Sequence, residues 1–377
     1  MSDPRNVHFD HVGSLLRPQP LFAARERLLG VHDTDHNLGA HDNAELRAIE
    51  DAHIREVVQL QEDAGLQFIT DGDFRRRSWW TDFFMSLDGP RVTYAGKSPL
   101  TLINAKGETR PLPTVSITKR ISWKGSVNVA SFKFLQSVTK RAPKVTLPPP
   151  TMIHFQRDDN YGLKAYGDDA DLFWDDLIRV YRQEIAALAA AGCRQLQIDE
   201  CNLVMLCDTR HQAFVRSRGE DPEALINKYV WVMNEIIRER PKDMFVRMHM
   251  CRGNLTGFWS AEGGYEPIAE RVFNQIGADA FLMEYDTARA GDFRPLRFLP
   301  KGKIALLGLV TTKVPDLEQP DHLRRRLDEA AKFADIAQLG LCPQCGFSSN
   351  VFGNSLTIED ERKKLALVVD TANSVWR

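Results

Sequence analysis

The stretch FVRMHMCRGN, residues 245–254, is a short apolar run that ends in a histidine and a cysteine two positions apart. Two other runs end in the same manner. FLMEYD, residues 281–286, carries Glu284, and GLCPQCGF, residues 340–347, carries Cys342 and Cys345. Each run reads as a strand. Side chains alternate faces along a strand, so His249 and Cys251 point the same way. An imidazole nitrogen and a thiolate on one face are half of a tetrahedral zinc site, and one more thiolate and a carboxylate would complete it. With Cys345 and Glu284 in those places the site is closed by protein ligands, and the carboxylate is the ligand most easily displaced. Such a site suits a Zn2+ ion that takes up a substrate thiol and activates it. The spacing alone leaves two plainer readings open. Cys342 and Cys345 with the His-x-Cys pair could form a structural Cys3His clip, or the cysteines could be core thiols.

The remaining runs set the fold class. Strands read at 11–12, 68–70, 145–147, 195–198, 245–248, 280–283, 304–309 and 336–341. That is about the number a TIM barrel requires, and several are apolar throughout, as strands buried on both faces of a parallel sheet are. Helices alternate with them. Between residues 43 and 64, Leu46, Ile49, His53, Val57, Leu60 and Ala64 recur at three- and four-residue steps; between 169 and 191, Trp174, Ile178, Tyr181, Ile185 and Leu188 do the same. Asp169 or Asp171 is the expected N-cap there and Gly192 the stop. Further helices read at 223–239, 267–276, 321–334 and 358–374. His53 reads as a core or surface histidine with no role. Residues 92–144 break the rhythm with short alternating runs and many Lys and Arg, and read as a β-hairpin plus helix inserted after the second strand. The expectation is a single (β/α)8 barrel domain over residues 1–377.

Composition narrows the function. The 377 residues are 43% hydrophobic and 27% charged, an ordinary globular balance. A net charge of −2 gives no footprint for nucleic acid or an anionic membrane. The polar start MSDPRNVHFDH has no apolar core, and no run approaches the roughly 20 residues that span a bilayer. Six cysteines are too sparse for a disulfide scaffold and suit metal binding or reduced thiols in a cytoplasmic setting.

In a TIM barrel the reactive groups sit at the C-terminal ends of the strands. Here those ends carry Gly13-Ser14, Asp71-Gly72-Asp73, Asp199-Glu200, His249 and Cys251, Glu284, and Cys345. The ordered set of VGS near the start, QIDE in the middle, HMC, the strand-six Glu and PQCG near the end resembles the catalytic domain of cobalamin-independent methionine synthase and its shorter single-barrel relatives. The resemblance covers nearly the whole chain. It implies a 5-methyltetrahydropteroyltriglutamate–homocysteine S-methyltransferase-like enzyme of methionine biosynthesis, with zinc on His249, Cys251, Glu284 and Cys345. Cys342 falls outside that pattern. The resemblance further implies that Gly13 and Ser14 hold the amino acid part of homocysteine and that Asp199 binds its ammonium group. Asp199 and Glu284 are thus the expected catalytic carboxylates. The family has a Glu after the second strand where this chain has Asp73, one methylene shorter and still able to reach an ammonium group.

The chain departs from the family on the side of the methyl donor. An N-terminal barrel that helps grip a folate tail is absent from this chain. Where the family packs a Trp against the pterin, PPPTMIHF offers Phe155 or His154. Where it has a His after the seventh strand, LGLVTTKVP offers Val310 or Thr311. A methyl group on a neutral amine is a poor electrophile unless that nitrogen is protonated. These departures favour an activated donor, either methylcobalamin on a corrinoid protein partner or a sulfonium compound, over a free folate. The Lys- and Arg-rich insertion pulls the other way, since it could grip an anionic tail. Two other functions fit the ligand set. One is alkyl transfer of the epoxyalkane:coenzyme M transferase type, which retained ammonium-binding carboxylates disfavour. The other is a non-catalytic zinc-binding barrel.

Overall fold

A computed structural model describes residues 7–30, 41–93, 100–158, 163–167 and 169–376. Its strands are β1 (Phe68–Ile69), β2 (Asp88–Thr93), β3 (Thr101–Ile103), β4 (Thr109–Pro111), β5 (Thr114–Ser122), β6 (Ala142–Leu147), β7 (Gln195–Asp199), β8 (Phe245–Met250), β9 (Ala280–Glu284), β10 (Ile304–Val310) and β11 (Leu339–Pro343). Seven of them form one parallel sheet in the order β1-β6-β7-β8-β9-β10-β11. The strands follow chain order, as repeated βα units with right-handed crossovers produce. The architecture is α/β and TIM-barrel-like. β9 and β10 are buried at every residue, which is why AFLME and IALLGLV carry almost no polar side chains.

The expected first strand, at 11–12 and the neighbouring residues, is barely formed. Pairing comes earlier and is minimal: Phe9 makes a single parallel bridge to Leu341. Leu341 N–H donates to the His8 carbonyl at 2.8 Å, and Asp10 N–H to the Leu341 carbonyl at 3.3 Å. The expected strand at 336–341 is likewise displaced. Ile336–Gln338 is a 3-10 turn, capped by Asp335 accepting from Ala337 N–H, and the strand runs from Leu339 to Pro343. Asp169 is the N-cap of the helix Ala170–Ala190, accepting from Leu172 N–H at 3.0 Å.

Between β1 and β6 the chain forms two antiparallel pairs, β2 with β5 and β3 with β4, and the helix Val129–Val138. The β3–β4 hairpin is anchored away from its own sheet. Ile103 and Trp259 exchange both backbone hydrogen bonds at 2.8 Å, and the Arg110 guanidinium lies 4.2 Å from the Phe258 ring centre. The hairpin therefore rests on the loop that follows β8.

Beneath the strand ends lies a fully buried charged network. Asp10 receives Lys144 Nζ at 2.8 Å and Arg247 Nε at 2.7 Å. Lys144 continues to Gln197 Oε1 at 3.3 Å, and Gln197 donates to the Val12 carbonyl at 2.5 Å and to Asp199 Oδ1 at 2.7 Å. Charges so deep are tolerated because each has partners. The network ties the N-terminal segment to β6, β7 and β8 and aims Asp199 upward.

Candidate active site

Three of the expected ligands converge. One ligand atom each of His249, Cys251 and Cys345 lie within 4.8 Å of one another, and all three residues are buried. β8 ends at Met250, which puts Cys251 immediately past the strand on the same side as His249. Cys345 arrives from the loop after β11. Its thiol reaches the Cys251 sulfur at 3.7 Å, and Gly253 N–H points at that sulfur from 3.4 Å. The Cys345 hydrogen bond, with His249 beside it, pulls the Cys251 thiol well below its usual range, and the same bond pushes Cys345 up. Burial opposes protonation of His249, but Cys251 raises its pKa.

Both ring nitrogens of His249 are buried without a hydrogen-bond partner. Buried polar nitrogens are nearly always satisfied. Two soft cysteine sulfurs facing an unsatisfied imidazole are the donor set of a zinc site, so these residues fit the ion. Cys342 is turned elsewhere, its thiol directed at the Leu306 carbonyl at 3.5 Å.

Glu284 is not within that group of three. It is fully buried, with Oε2 accepting from Arg252 N–H at 2.6 Å and Oε1 lying 2.5 Å from Arg289 Nη2 and 3.4 Å from Lys313 Nζ. Burial alone would push its carboxyl up; Lys313, Arg252 and Arg289 outweigh it and hold the pKa down to about 2.

The three ligands open onto a cavity of about 360 Å³ with mostly apolar walls. Asp199, Asp73 and Ser14 line it too. Asp199 is the register neighbour of His249. Burial raises its pKa to about 6, against the pull of His249 and Gln197. Asp73 sits in a left-handed turn, φ 62°, with Arg76 Nη1 at 3.2 Å from Oδ1. Ser14 packs so tightly on Gly346 that a Cβ there would lie 1.9 Å from its Oγ. Gly13 itself is not a wall. Its carbonyl accepts from Thr70 Oγ1 at 2.6 Å, and a Cβ at its φ of +136° would lie 2.8 Å from Thr146. Val12 and Ser14 on either side face the cavity.

Phe155 is not brought to the cavity. It is buried on the far side of the helix Pro150–Phe155, against His211 and Phe214 at 5.7 and 6.0 Å between ring centres. The same helix presents Met152 instead, and Gln156 follows it. His154 is also turned away, hydrogen-bonded to Tyr229 at 2.9 Å and lowered by burial to about 4. The aromatic wall comes from Trp79 and Trp80, which the reading of the sequence missed. The signal was present in RRRSWW, residues 75–80: two adjacent tryptophans just past a barrel strand. Leu102, Arg110 and Phe352 complete the mouth, the first two from the β3–β4 hairpin.

Residues 29–374 match the family model described as cobalamin-independent synthase, catalytic domain. The chain is 36% identical over 372 residues to the uncharacterized protein YxjH of Bacillus subtilis, covering 98% of this chain and 94% of that one. It is 23% identical over 313 residues to the 5-methyltetrahydropteroyltriglutamate–homocysteine methyltransferase of Lactiplantibacillus plantarum, covering 81% of this chain and 36% of that protein. A Listeria monocytogenes chain assigned as a vitamin-B12 independent methionine synthase superimposes with a TM-score of 0.74 at 32% identity, covering 98% of each chain. A B12-independent methionine synthase from Shewanella sp. W3-18-1, solved with selenomethionine, shares the fold with a TM-score of 0.70 at 20% identity, covering 97% of this chain and 96% of that one. The chain thus belongs to the cobalamin-independent synthase catalytic-domain family and is a methyltransferase.

Proposed function

We propose that this protein transfers a methyl group to the thiol of homocysteine, giving methionine, at a zinc ion held by His249, Cys251 and Cys345 with Glu284 as the fourth ligand. The observation that carries this reading is the buried, unsatisfied His249 beside two sulfurs, at the floor of a cavity that Asp199 and Ser14 also line. A bound zinc would supply the Lewis acid that deprotonates a substrate thiol and keeps its sulfur nucleophilic. The chain's own residues do the rest. Asp199 takes the ammonium group of the amino acid, as a carboxylate, and Gln197 fixes the direction of its Oδ1. Asp73 adds a second negative group to that end. Ser14 and the backbone on either side of Gly13 bound the amino acid. Trp79, Trp80 and Leu102 exclude water from the methyl-transfer path and offer a flat surface to the donor.

The same reading takes the protein as one (β/α)8 domain over residues 1–377, with the segment around Phe9 as its first stave, acting in the cytoplasm on small molecules. No helix among the described residues is long and apolar enough to cross a membrane. Arg110 at the cavity mouth would suit an anionic group on the donor, or a sulfonate-bearing thiol such as coenzyme M.

The test is to supply the zinc-loaded protein with homocysteine and, in turn, 5-methyltetrahydrofolate, methylcobalamin and S-methylmethionine, and to measure methionine. Zinc-dependent methionine from one of them supports the reading, and that donor is the substrate. Turnover with 5-methyltetrahydrofolate near the usual enzyme median of about 10 per second would overturn the preference for an activated donor. It would assign the two tryptophans to the pterin. Methylation of coenzyme M but not homocysteine would move the acceptor to the sulfonate thiols. No thiol methylated from any donor would leave a zinc-binding barrel.

A further inference from the structure

Glu284 stands in a cradle that the reaction does not otherwise use. Arg289 Nη2 and Lys313 Nζ flank one oxygen at 2.5 and 3.4 Å, and Arg252 N–H holds the other at 2.6 Å. The two cations have a second carboxylate: Asp286 lies 3.5 Å from Lys313 and 3.7 Å from Arg289. The Arg289 guanidinium is further fixed over the Trp259 ring at 4.5 Å. Both cations are nearly buried, with side-chain exposures of 11% for Arg289 and 9% for Lys313. The cradle therefore holds two positive and two negative charges out of water. A carboxylate that left a metal ligand set for an apolar wall would be stranded at considerable cost. Here it would meet two cations and a backbone N–H. When it leaves the cradle, Asp286 remains with both cations, so neither is stranded. Compensating charge is thus present whether or not Glu284 stays in the cradle, which is what an exchangeable ligand needs.

We propose that Lys313 and Arg289 are positioning residues that hold Glu284 in a second station beside the His249–Cys251–Cys345 cluster, and so set how readily a substrate thiol takes the fourth ligand position. The proposal rests on the reading of Glu284 as that fourth ligand. It assigns a function to Lys313, which follows the end of β10 in the next loop.

The experiment measures zinc affinity by competition with a chromophoric chelator, and homocysteine affinity by calorimetry, for the full chain and for Lys313→Met, Arg289→Gln, Glu284→Gln and the Lys313→Met/Glu284→Gln double variant. Removing a cradle cation frees Glu284 for the ion. Lys313→Met is expected to tighten zinc by about tenfold and weaken homocysteine by a similar factor, a coupling of ordinary size for neighbouring groups. Glu284→Gln alone should weaken zinc, and in that background Lys313→Met should change nothing. An effect of Lys313→Met that persists without Glu284 is a through-space charge effect and overturns the proposal, as does weaker or unchanged zinc binding in the single variant. In both cases a zinc loss in Glu284→Gln would leave the ligand assignment standing. If Lys313→Met does not fold, Arg289→Gln carries the same test. A parent chain that binds no zinc removes the metal reading and this proposal together.

Discussion

His249 and Asp199 are register neighbours on adjacent strands, yet they are built for opposite tasks. His249 has two buried nitrogens with nothing to bond, and Asp199 has one oxygen fixed by Gln197 and the other side open to the cavity. Asp199→Asn should weaken homocysteine binding by about tenfold to a hundredfold, the worth of a hydrogen bond to a charged group. Zinc content should not change. Equal homocysteine affinity in a calorimetric titration would remove Asp199 from the ammonium site. The two cysteines of CPQC make the sharper contrast. Cys345 faces Cys251 and His249, whereas Cys342 faces the Leu306 carbonyl inside the barrel. Cys345→Ser should lose most of the metal and Cys342→Ser should keep about one zinc per chain. Equal zinc in the two variants, by elemental analysis, would refute the ligand assignment.

The elements that carry these residues differ in how they are held. The loop after the N-terminal segment is pinned by the last helix, Ile358–Val375, where the buried Glu361 accepts Leu16 N–H at 2.8 Å and has no ion-pair partner among the described residues. Burial raises that carboxyl from 4.5 to about 8, only partly offset by the Leu16 hydrogen bond. Between those two values the unfolded chain has lost the proton and the folded chain keeps it. Stability therefore falls as pH rises across the window, by up to about 1.4 kcal/mol per unit, and levels off above it. Glu361→Gln keeps an acceptor for Leu16 and removes the titration. Its stability relative to the parent should rise by roughly a few kcal/mol from pH 5 to pH 8 in urea unfolding. The same difference at both pH values would contradict the assignment. The long apolar strands and amphipathic helices were legible because burial on both faces leaves a plain pattern in IALLGLV and AFLME. The pairing near the N-terminus was not, because a single bridge at Phe9 needs no strand-like composition. Phe155 lies away from the cavity because PTMIHF folds as a short helix whose last residue packs on His211 and Phe214, and Met152 forms the wall instead. Trp79 and Trp80 escaped notice because the loop after β1 has no period to read.

Taken together, the barrel, the insertion and the ligand cluster enclose one reaction volume. The buried network of Asp10, Lys144 and Arg247 lies beneath, the strand ends supply His249, the cysteines and the carboxylates, and the β3–β4 hairpin closes one side of the cavity. The hairpin is tied to Trp259, and Trp259 stacks on the arginine that holds Glu284. The central claim is that this volume brings a thiol substrate to a protein-held zinc ion. Zinc-edge X-ray absorption on the loaded protein tests it without knowledge of the methyl donor. Without homocysteine the account predicts a shell of two sulfurs, one nitrogen and one oxygen, from Cys251, Cys345, His249 and Glu284. With homocysteine it predicts a third sulfur in place of the oxygen. A sulfur count that stays the same on adding homocysteine would contradict it.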